Sequence, residues 1–390
     1  MKRIIILFYC LLVTISWGHA DNVHVSVLTC SPGDEAYSLF GHTGLRYRDA
    51  DNDTDIVFSY GYFDFSAPGF IWRFILGETD YMVGAVPYHH FISEYEERGS
   101  GVVEQEIALS PEQKNSVIDF LAENCKEENR VYRYNYFYNN CTTKVRDLLF
   151  SVVGGITYQG DEPEAITFRE VLSRLTGKHP WYAFGINLLL GADVDEPASR
   201  HELQFIPGYF MQDADKAVVT LPEGNPTPFV KEKIVLLDEQ STLLPKSHFT
   251  PFNISLLVLL ATMIVMLCEV RRKRTYWVMD ILLMLVQGLS GVLLLFMALF
   301  SAHPAVGNNW VIILLNPLAL LILPVMLYRI AKGLSMQVAW LQVFVVTAFF
   351  ISAILGIQVY PIPLYFFAIA LSVRALFHIY KKNICELNLF

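Results

Sequence analysis

Apolar residues are distributed unevenly along the chain, and their pattern divides it into three parts. An apolar run, Ile4–Ile15, follows Lys2-Arg3 and precedes Gly18-His19-Ala20. A cationic start, an apolar core and small residues at the end are typical of a secretory signal. Long apolar runs return only from Phe252 onward. We therefore predict a signal peptide over 1–20, an exported domain over 21–247 and a membrane domain over 248–390, with an uncleaved anchor as the alternative for the first part.

The apolar runs of the last third predict a membrane domain with five helices. The five spans are 252–268, 278–300, 310–328, 338–355 and 360–378. Crossing the hydrocarbon core takes about 20 residues, so the first and last spans are near the lower limit. Basic residues mark the ends of the first, third and fifth spans: Arg271–Arg274, Arg329 with Lys332, and Arg374 with Lys381 and Lys382. Because loops 301–309 and 356–359 contain neither Lys nor Arg, the positive-inside rule predicts an exported N-terminal domain and a cytoplasmic C-terminus.

Short patterned segments of the exported domain predict both strands and helices, and thus an α+β fold. The predicted strands are Val23–Leu28, His42–Tyr47, Ile56–Phe63 and Ala217–Leu221, of which the second and third form a hairpin. The predicted helices are a short turn over Glu35–Phe40, a capped helix from Ser110-Pro111 to about Asn124, and Thr167–Leu175. The acidic loop Asp49–Asp55 lacks the Gly and the later Glu of an EF-hand, so we predict a solvated turn there and no metal site.

Cys141 lies where the pattern changes from strand-like to helical. The aromatic stretch Tyr134–Tyr138 favours an extended strand. Asn139-Asn140 supplies helix-capping residues, and apolar positions at helical spacing continue to Gly154-Gly155. The partial positive charge of a helix N-terminus stabilises a thiolate, so Cys141 is a candidate nucleophile. The alternative is a structural or disulfide-bonded cysteine.

The cysteine count bears on that alternative. Of six cysteines, Cys10 lies in the predicted signal, and Cys268 and Cys385 lie in the predicted membrane domain. Three remain in the exported domain, Cys30, Cys125 and Cys141. An odd number in an oxidising compartment predicts at least one free thiol. A disulfide between Cys30 and Cys125 would leave Cys141 reduced, but the sequence leaves the pairing open.

A cysteine nucleophile needs a base, and His42 is the strongest candidate. It begins a predicted strand between Gly41 and Gly44, where small neighbours allow a substrate or other backbone to approach closely. The alternative is a strand-edge histidine without a role. Candidate orienting or oxyanion groups are Tyr60 and Ser59 on the paired strand, Asn140, and the backbone N–H groups near Cys141 and Thr142.

Two further observations bear on partners. The net charge of −9 argues against a nucleic-acid partner, which would require a basic surface. The loop between the second and third predicted spans contains His303 and precedes Trp310. Trp310 is most simply an interfacial anchor, whereas His303 is a candidate contact to a lipid headgroup or a substrate.

Four motifs of the exported domain resemble those of the Lnb N-terminal periplasmic domain family. They are Leu28-Thr29-Cys30-Ser31-Pro32-Gly33-Asp34, Leu39-Phe40-Gly41-His42-Thr43-Gly44-Leu45-Arg46, Ser59-Tyr60-Gly61-Tyr62-Phe63-Asp64-Phe65 and Tyr136-Phe137-Tyr138-Asn139-Asn140-Cys141-Thr142-Thr143. The resemblance continues through Thr167-Phe168-Arg169, Ser301-Ala302-His303-Pro304 and Asn316-Pro317. It implies a papain-like (permuted thiol-hydrolase-like) domain with Cys141 as nucleophile and His42 as base, and it makes Arg46 a candidate substrate contact.

The family's full-length members are similar to a bacterial apolipoprotein N-acyltransferase. The resemblance therefore implies an inner-membrane acyltransferase that takes an acyl chain from a phospholipid donor and passes it, through a cysteine thioester, to diacylglyceryl lipoproteins. No cofactor and no metal are implied. Two alternatives stay open: a membrane-anchored cysteine peptidase or amidase acting on peptide or peptidoglycan bonds, and a non-catalytic envelope assembly protein.

Overall fold

The computed structural model describes residues 22–160, 164–220, 224–240, 247–332, 334 and 337–386. The predicted signal peptide, 1–20, lies outside the described residues. The remaining chain forms an N-terminal α+β domain with a large antiparallel sheet, followed by a helical membrane region. The mixed fold predicted from the strand and helix patterns is therefore confirmed at that level.

In the described part of the chain, ten strands form two antiparallel sheets. They are β1 Val23–Cys30, β2 His42–Asp49, β3 Thr54–Tyr62, β4 Asp80–Pro87, β5 Val102–Ile107, β6 Val131–Arg133, β7 Ile156–Tyr158, β8 Ala217–Thr220, β9 Pro226–Pro228 and β10 Val230–Leu237. The large sheet has the order β10-β5-β1-β2-β3-β4-β6, and the small one has the order β7-β8-β9. The predicted hairpin is confirmed, since β2 pairs with β3 from Gly44 opposite Ser59 to Asp49 opposite Thr54. The strand β2, which begins at His42, lies in the middle of the large sheet.

Helices cover both faces of the large sheet. In chain order they are α1 Phe70–Leu76, α2 Tyr88–Arg98, α3 Pro111–Asn124, α4 Cys141–Val153, α5 Phe168–Leu175, α6 Pro180–Leu189, α7 Arg200–Leu203 and α8 Pro207–Ala214. On one face, Val117 of α3 and Leu149 of α4 are buried in one cluster with Leu45 of β2. On the other face, Phe91 of α2 is buried with Val57 of β3. Burial of apolar side chains on both faces is the main favourable contribution to the stability of this domain.

The predicted helix starts are confirmed at three positions. Ser110, Asn140 and Thr167 are the N-caps of α3, α4 and α5, and each forms a capping box with the third residue of its helix. These reciprocal bonds satisfy backbone N–H groups that a helix start otherwise leaves unpaired. The short helical turn predicted over Glu35–Phe40 is only a series of turns.

The prediction of a strand that leads into Cys141 is wrong over most of its length. The strand β6 ends at Arg133, and the following residues form a tight turn in which Asn135 and Asn139 exchange backbone hydrogen bonds. The Asn135 side-chain oxygen also accepts bonds from the N–H groups of Phe137 and Tyr138. Such a local side-chain bond competes with a strand ladder, and it outweighs the strand preference of the aromatic residues.

Six helical segments occur in the membrane region where the structure describes it. They are α9 Pro251–Arg272, α10 Val278–Phe300, α11 Val311–Leu314, α12 Leu318–Ala331, α13 Ala339–Ile354 and α14 Ile362–Glu386. Among the described residues, four stretches are long and apolar enough to cross a membrane: Pro251–Arg272, Val278–Phe300, Val311–Arg329 and Ile362–Tyr380. The prediction of five spans is therefore confirmed for four. The predicted span 338–355 forms α13, whose 16 residues extend about 24 Å, less than the roughly 30 Å of hydrocarbon.

The third predicted span is interrupted between α11 and α12, at Leu315–Pro317. The interruption packs against Gly291 of α10, where a Cβ atom would come within 2.6 Å of the backbone of Asn316 and Pro317. Glycine is therefore required at this position for the close approach of the two segments.

Charged side chains lie buried between three of the membrane helices. Arg374 of α14 donates hydrogen bonds to both Asp280 of α10 and Glu269 of α9. His378 bonds the same Asp280 at 3.0 Å. The charge of Arg374 suggested the end of a span. That prediction is wrong, because the guanidinium is paired inside the bundle.

The two loops without Lys or Arg contact the α+β domain. The N–H of Ala302 donates to the carbonyl of Leu76 at 2.7 Å, and Gly191 donates to the carbonyl of Ala305 at 2.7 Å. The Gln358 side chain donates to the carbonyl of Leu190 at 3.0 Å. Both loops thus lie on the side of the exported domain, as their lack of basic residues predicted.

Candidate functional site

Asn140 determines where α4 begins, and thereby where the Cys141 sulfur lies. Its side-chain oxygen accepts bonds from the N–H groups of Thr142 and Thr143, both at 2.9 Å. Its amide nitrogen donates to the carbonyls of Tyr136 at 3.0 Å and Phe205 at 2.8 Å. Cys141 is consequently the first residue of the helix, where the helix dipole favours a thiolate.

His42 is held at the start of β2 by its pairing with β1. The register places His42 opposite Cys30, the last residue of β1. Gly41, just before it, has a φ of +81°, and a Cβ atom there would lie 2.5 Å from the carbonyl oxygen of Cys30. Only glycine combines that conformation with that close approach, so the Gly41-His42 pair fixes how the chain enters β2.

The His42 imidazole lies near enough to the Cys141 thiol to lower the pKa of that thiol, through its charge and through a side-chain hydrogen bond. Burial raises the pKa of the Cys141 thiol, but four attractions outweigh it: the charge of His42, a hydrogen bond with its side chain, the backbone N–H of Thr43, and the Thr142 side chain. The pKa of Cys141 therefore lies below its ordinary value. A thiol with a lowered pKa beside an imidazole is an arrangement that can perform nucleophilic chemistry.

A pair of threonines joins the two halves of this site. The Oγ1 atoms of Thr43 and Thr142 lie 3.1 Å apart, and the Thr142 Oγ1 is 3.8 Å from the Cys141 sulfur. Both threonines are buried. Thr43 was not recognised as a site residue from the sequence, although it lies inside the Gly41–Gly44 motif that singled out His42.

The candidate oxyanion donors near Cys141 are not equally available. The N–H of Thr142 is already bonded to Asn140, so it does not face the cavity as an open donor. Among the described residues, the N–H of Cys141 has no hydrogen-bond acceptor. The backbone donor that this site offers to a developing negative charge is therefore the N–H of Cys141, and not that of Thr142.

Tyr60 and Asn140 were candidates to orient the imidazole, but both are bonded elsewhere. The Tyr60 hydroxyl donates to the side-chain oxygen of Asn124 at 2.7 Å, and burial raises the pKa of Tyr60 above its ordinary range. The Asn140 side chain is occupied by the helix cap and by two carbonyls. Both residues line the same cavity as His42, as does the buried Ser59, but Tyr60 and Asn140 act as supports of the fold.

Cys141 and His42 open into a cavity of about 410 Å³. Phe and Tyr residues make up about half of its lining, and they come from the turns before β2, from β3 and the segment after it, from β4 and α2, and from the segments before α4 and α8. Among the described lining residues, Glu94 is the only carboxylate and Arg98 the only arginine or lysine. The cavity is thus mostly apolar, with one charged pair and one thiol–imidazole pair.

Arg46 and His303, the two candidate substrate contacts, are not brought to this cavity. The Arg46 guanidinium pairs with Asp55 and Glu104 and lies 3.4 Å from the centre of the Tyr88 ring. The His303 side chain is bonded to the carbonyl of Phe74 at 2.6 Å, where the membrane domain meets α1. Both residues join elements of the fold.

Cys30 forms no disulfide, so the bridge considered between Cys30 and Cys125 is not formed. Cys30 packs on the α2 face of the large sheet, whereas Cys125 packs against the α3–α4 core on the other face. Burial raises the pKa of the Cys30 thiol well above its ordinary value, and the thiol is hydrogen-bonded to Tyr95. Because the pKa of Cys30 is raised and that of Cys141 is lowered, Cys141 is the one of these two thiols that is suited to react.

No group of three or more His, Cys, Asp or Glu side chains that could hold a metal ion occurs in the described part of the chain.

The fold and the site together define a membrane protein with an α+β periplasmic domain that carries a cysteine–histidine pair in an aromatic cavity. Residues 18–174 match the model of the Lnb N-terminal periplasmic domain, and residues 243–383 match that of the Lnb transmembrane domain. The two matches support assignment to the Lnb family. No curated protein and no solved structure matches the chain.

Proposed function

We propose that the protein is a lipoprotein N-acyltransferase that uses a phospholipid as acyl donor. The observation that carries the proposal is the Cys141 thiol, which interacts with His42 and lies in an aromatic cavity beside a membrane domain. The fold that we propose is papain-like and permuted, because the base begins a central strand and the nucleophile begins a helix later in the chain. The domain faces the periplasm from a bacterial inner membrane, with the C-terminus in the cytoplasm.

The first half of the reaction forms a thioester. His42 takes the thiol proton, and the Cys141 thiolate attacks the carbonyl carbon of a phospholipid ester. The N–H of Cys141 stabilises the negative oxygen of the tetrahedral intermediate. The carbon–oxygen bond to glycerol then breaks, and His42 returns its proton to the departing oxygen, which leaves as a lysophospholipid.

The second half transfers the chain. The α-amine of a diacylglyceryl-cysteine lipoprotein attacks the thioester carbonyl, and the carbon–sulfur bond breaks. One amine proton passes through His42 to the sulfur, which restores the Cys141 thiol. The two half-reactions use one site in turn, so ping-pong kinetics are expected.

A row of aromatic side chains, Phe63, Phe65 and Phe70, leads from the cavity to α1, and α1 in turn contacts the membrane helices, which supports a lipid substrate. Phe63, which lines the cavity, lies 4.4 Å from the ring of Phe65 and 5.7 Å from that of Phe70 in α1. From the same helix, the ring of Trp72 lies 5.2 Å from that of Phe296 in α10. An acyl chain that follows this row stays in contact with apolar surface between the bilayer and Cys141.

The test is to incubate the full-length protein in detergent with phospholipid that carries a radiolabelled acyl chain. We expect a labelled, hydroxylamine-sensitive adduct that disappears in Cys141→Ala and persists in Cys268→Ala, a control that removes an exposed thiol outside the site. Adding a diacylglyceryl lipopeptide should move the label from the protein to the peptide amine.

The same experiment separates the alternative functions. Cleavage of a peptide or peptidoglycan amide without any adduct from phospholipid would replace the proposal with a peptidase or amidase. A Cys141 thiol that is blocked in the purified protein, as measured by thiol titration under denaturing conditions, would instead favour a non-catalytic assembly protein.

A further inference from the structure

A charged pair lies in the lining of an otherwise mainly apolar cavity. Glu94 and Arg98 are one helical turn apart on α2, form a salt bridge and are both partly exposed. The Arg98 guanidinium also lies 5.3 Å from the ring centre of Tyr95 and 5.8 Å from that of Tyr37. The simplest function of such a pair is a small stabilisation of the helix. Because the Glu94–Arg98 pair lines the same cavity as the candidate nucleophile, we looked for a second function of the pair.

The sheet order shows where Arg98 lies relative to the reacting pair. Cys30 at the end of β1 is opposite both His42 of β2 and Val102 of β5. The strands follow one another as β5-β1-β2-β3-β4, so the start of β5 and the end of β3 flank His42 on opposite sides. Arg98 comes shortly before β5, whereas the aromatic row begins with Phe63, just after β3. The cavity therefore carries the Glu94–Arg98 ion pair on one side of the Cys141–His42 pair and the aromatic row on the other.

This polarity matches that of a glycerophospholipid. With the scissile ester at Cys141 and the acyl chain along the aromatic row, the glycerol carbons direct the phosphodiester toward the opposite side. Neighbouring strands are about 4.8 Å apart, so the start of β5 is about 10 Å from the start of β2. The ester carbonyl and the phosphate of one lipid are closer together than this, and the length of an arginine side chain can cover the difference.

We propose that Arg98 binds the phosphodiester of the donor phospholipid and thereby selects a phosphate-bearing lipid over a neutral one. This inference rests on the proposed function and adds to it a residue that determines the class of donor. Arginine suits this task because its planar fork donates two parallel hydrogen bonds to phosphate oxygens. Glu94 holds the guanidinium in the cavity lining until the lipid arrives, when the phosphate competes for the same donors.

The first experiment compares two donors with identical labelled chains, phosphatidylethanolamine and diacylglycerol, in mixed micelles with the full-length protein. We expect Arg98→Gln to raise the KM for phosphatidylethanolamine about tenfold, as the loss of a charge-assisted bond implies, while the rate with diacylglycerol stays at the wild-type value. Arg98→Lys, which keeps the charge but not the fork, should be intermediate. Arg48→Gln removes an exposed arginine that does not line the cavity and is the matched control.

Equal effects of Arg98→Gln on both donors, or no effect on either, would overturn the assignment while leaving acyl transfer intact. A wild-type protein that forms no adduct with any lipid contradicts the proposed function itself, and this inference with it.

A second readout does not depend on turnover. Soluble glycerophosphoethanolamine should slow the alkylation of Cys141 by iodoacetamide in the wild type and in Arg48→Gln, but not in Arg98→Gln. Equal protection by inorganic phosphate at the same concentration would identify a site for free phosphate and overturn the lipid assignment. Protection that persists in Arg98→Gln would show that another group binds the phosphodiester.

Discussion

Thr43 and Thr142 are hydrogen-bonded through their hydroxyl groups at 3.1 Å, and this bond joins the strand that begins at His42 to the helix that begins at Cys141. Each threonine directly follows one member of the reacting pair. Because both side chains are buried, the bond is shielded from competing water. The position of the sulfur relative to the imidazole therefore depends on a contact between two residues that do no chemistry themselves.

Removing that contact should loosen the pair without unfolding the protein. Thr142→Val keeps the shape of the side chain but removes its hydroxyl, and we expect a loss of about 1 kcal/mol in the free energy of unfolding. We also expect slower alkylation of Cys141 at neutral pH. Thermal melting and alkylation rates measure the two effects, and Thr157→Val on the exposed surface is the control. Unchanged reactivity would mean that Thr43 and Thr142 do not align the site.

The ionisation of Cys141 should depend on His42. The pKa of Cys141 is lowered, so the thiolate persists below the pH at which an ordinary thiol becomes protonated, and is lost only when the pH falls through the lowered value. Without His42, only the Thr43 N–H and the Thr142 side chain oppose the effect of burial, so the pKa of Cys141 rises and the thiolate forms only at higher pH.

In a Cys268→Ala background, His42→Gln should therefore shift the alkylation profile of Cys141 to higher pH. The rate at pH 7 should fall by about tenfold or more, since one pKa unit corresponds to a tenfold change in the thiolate fraction near neutrality. His303→Gln, which removes a histidine outside the cavity, should leave the profile unchanged. If His42→Gln and His303→Gln gave the same pH profile of alkylation, the interaction of His42 with Cys141 would be contradicted.

Asn140 should contribute more to stability than an ordinary helix cap. Ser110→Ala removes a cap of α3 and should cost about 1 kcal/mol. Asn140→Ala also leaves the carbonyls of Tyr136 and Phe205 without its amide, so we expect a loss of about 3 kcal/mol. Chemical denaturation with both variants measures the difference. Only Asn140→Ala should also slow the alkylation of Cys141, and equal losses of stability would show that the two extra bonds contribute little.

Trp72 should affect the delivery of lipid and not the reactivity of the thiol. Its ring contacts Phe296 of α10, so Trp72→Ala removes the aromatic contact between α1 and the membrane helices. We expect formation of the labelled adduct from long-chain phospholipid to slow several-fold, while alkylation by soluble iodoacetamide is unchanged. Trp340→Ala, at the exposed start of α13, is the control. A parallel loss of both activities would indicate a damaged site instead.

The buried ion cluster should stabilise the membrane domain. Arg374→Gln leaves the carboxylates of Asp280 and Glu269 without their cation, and breaking a buried pair in this way costs about 3–5 kcal/mol. We expect a lower melting temperature in detergent and less protein in the membrane. Arg274→Gln, which removes an exposed arginine just after α9, should change neither. Equal melting temperatures would show that the cluster is dispensable.

Structural features that depend on residues close together in the chain were predictable from the sequence. The N-caps Ser110, Asn140 and Thr167 and the hairpin of β2 and β3 depend on neighbouring residues and on local turn chemistry. The apolar helices of the membrane region follow from composition over about 20 residues. The candidate nucleophile also came from a local argument, because its position at a helix start is determined by the residue before it.

Contacts between residues distant in sequence could be decided only by the tertiary structure. Cys141 and His42 are brought together by the packing of α4 on the sheet, and the Thr43–Thr142 bond joins residues 99 positions apart. The true partners of Arg46, Arg374 and His303 follow from the same kind of packing, which no local pattern encodes. A sequence determines the conformation of a segment through short-range sterics and hydrogen bonds, whereas the place of a charge or a thiol depends on which segments bury their apolar faces together.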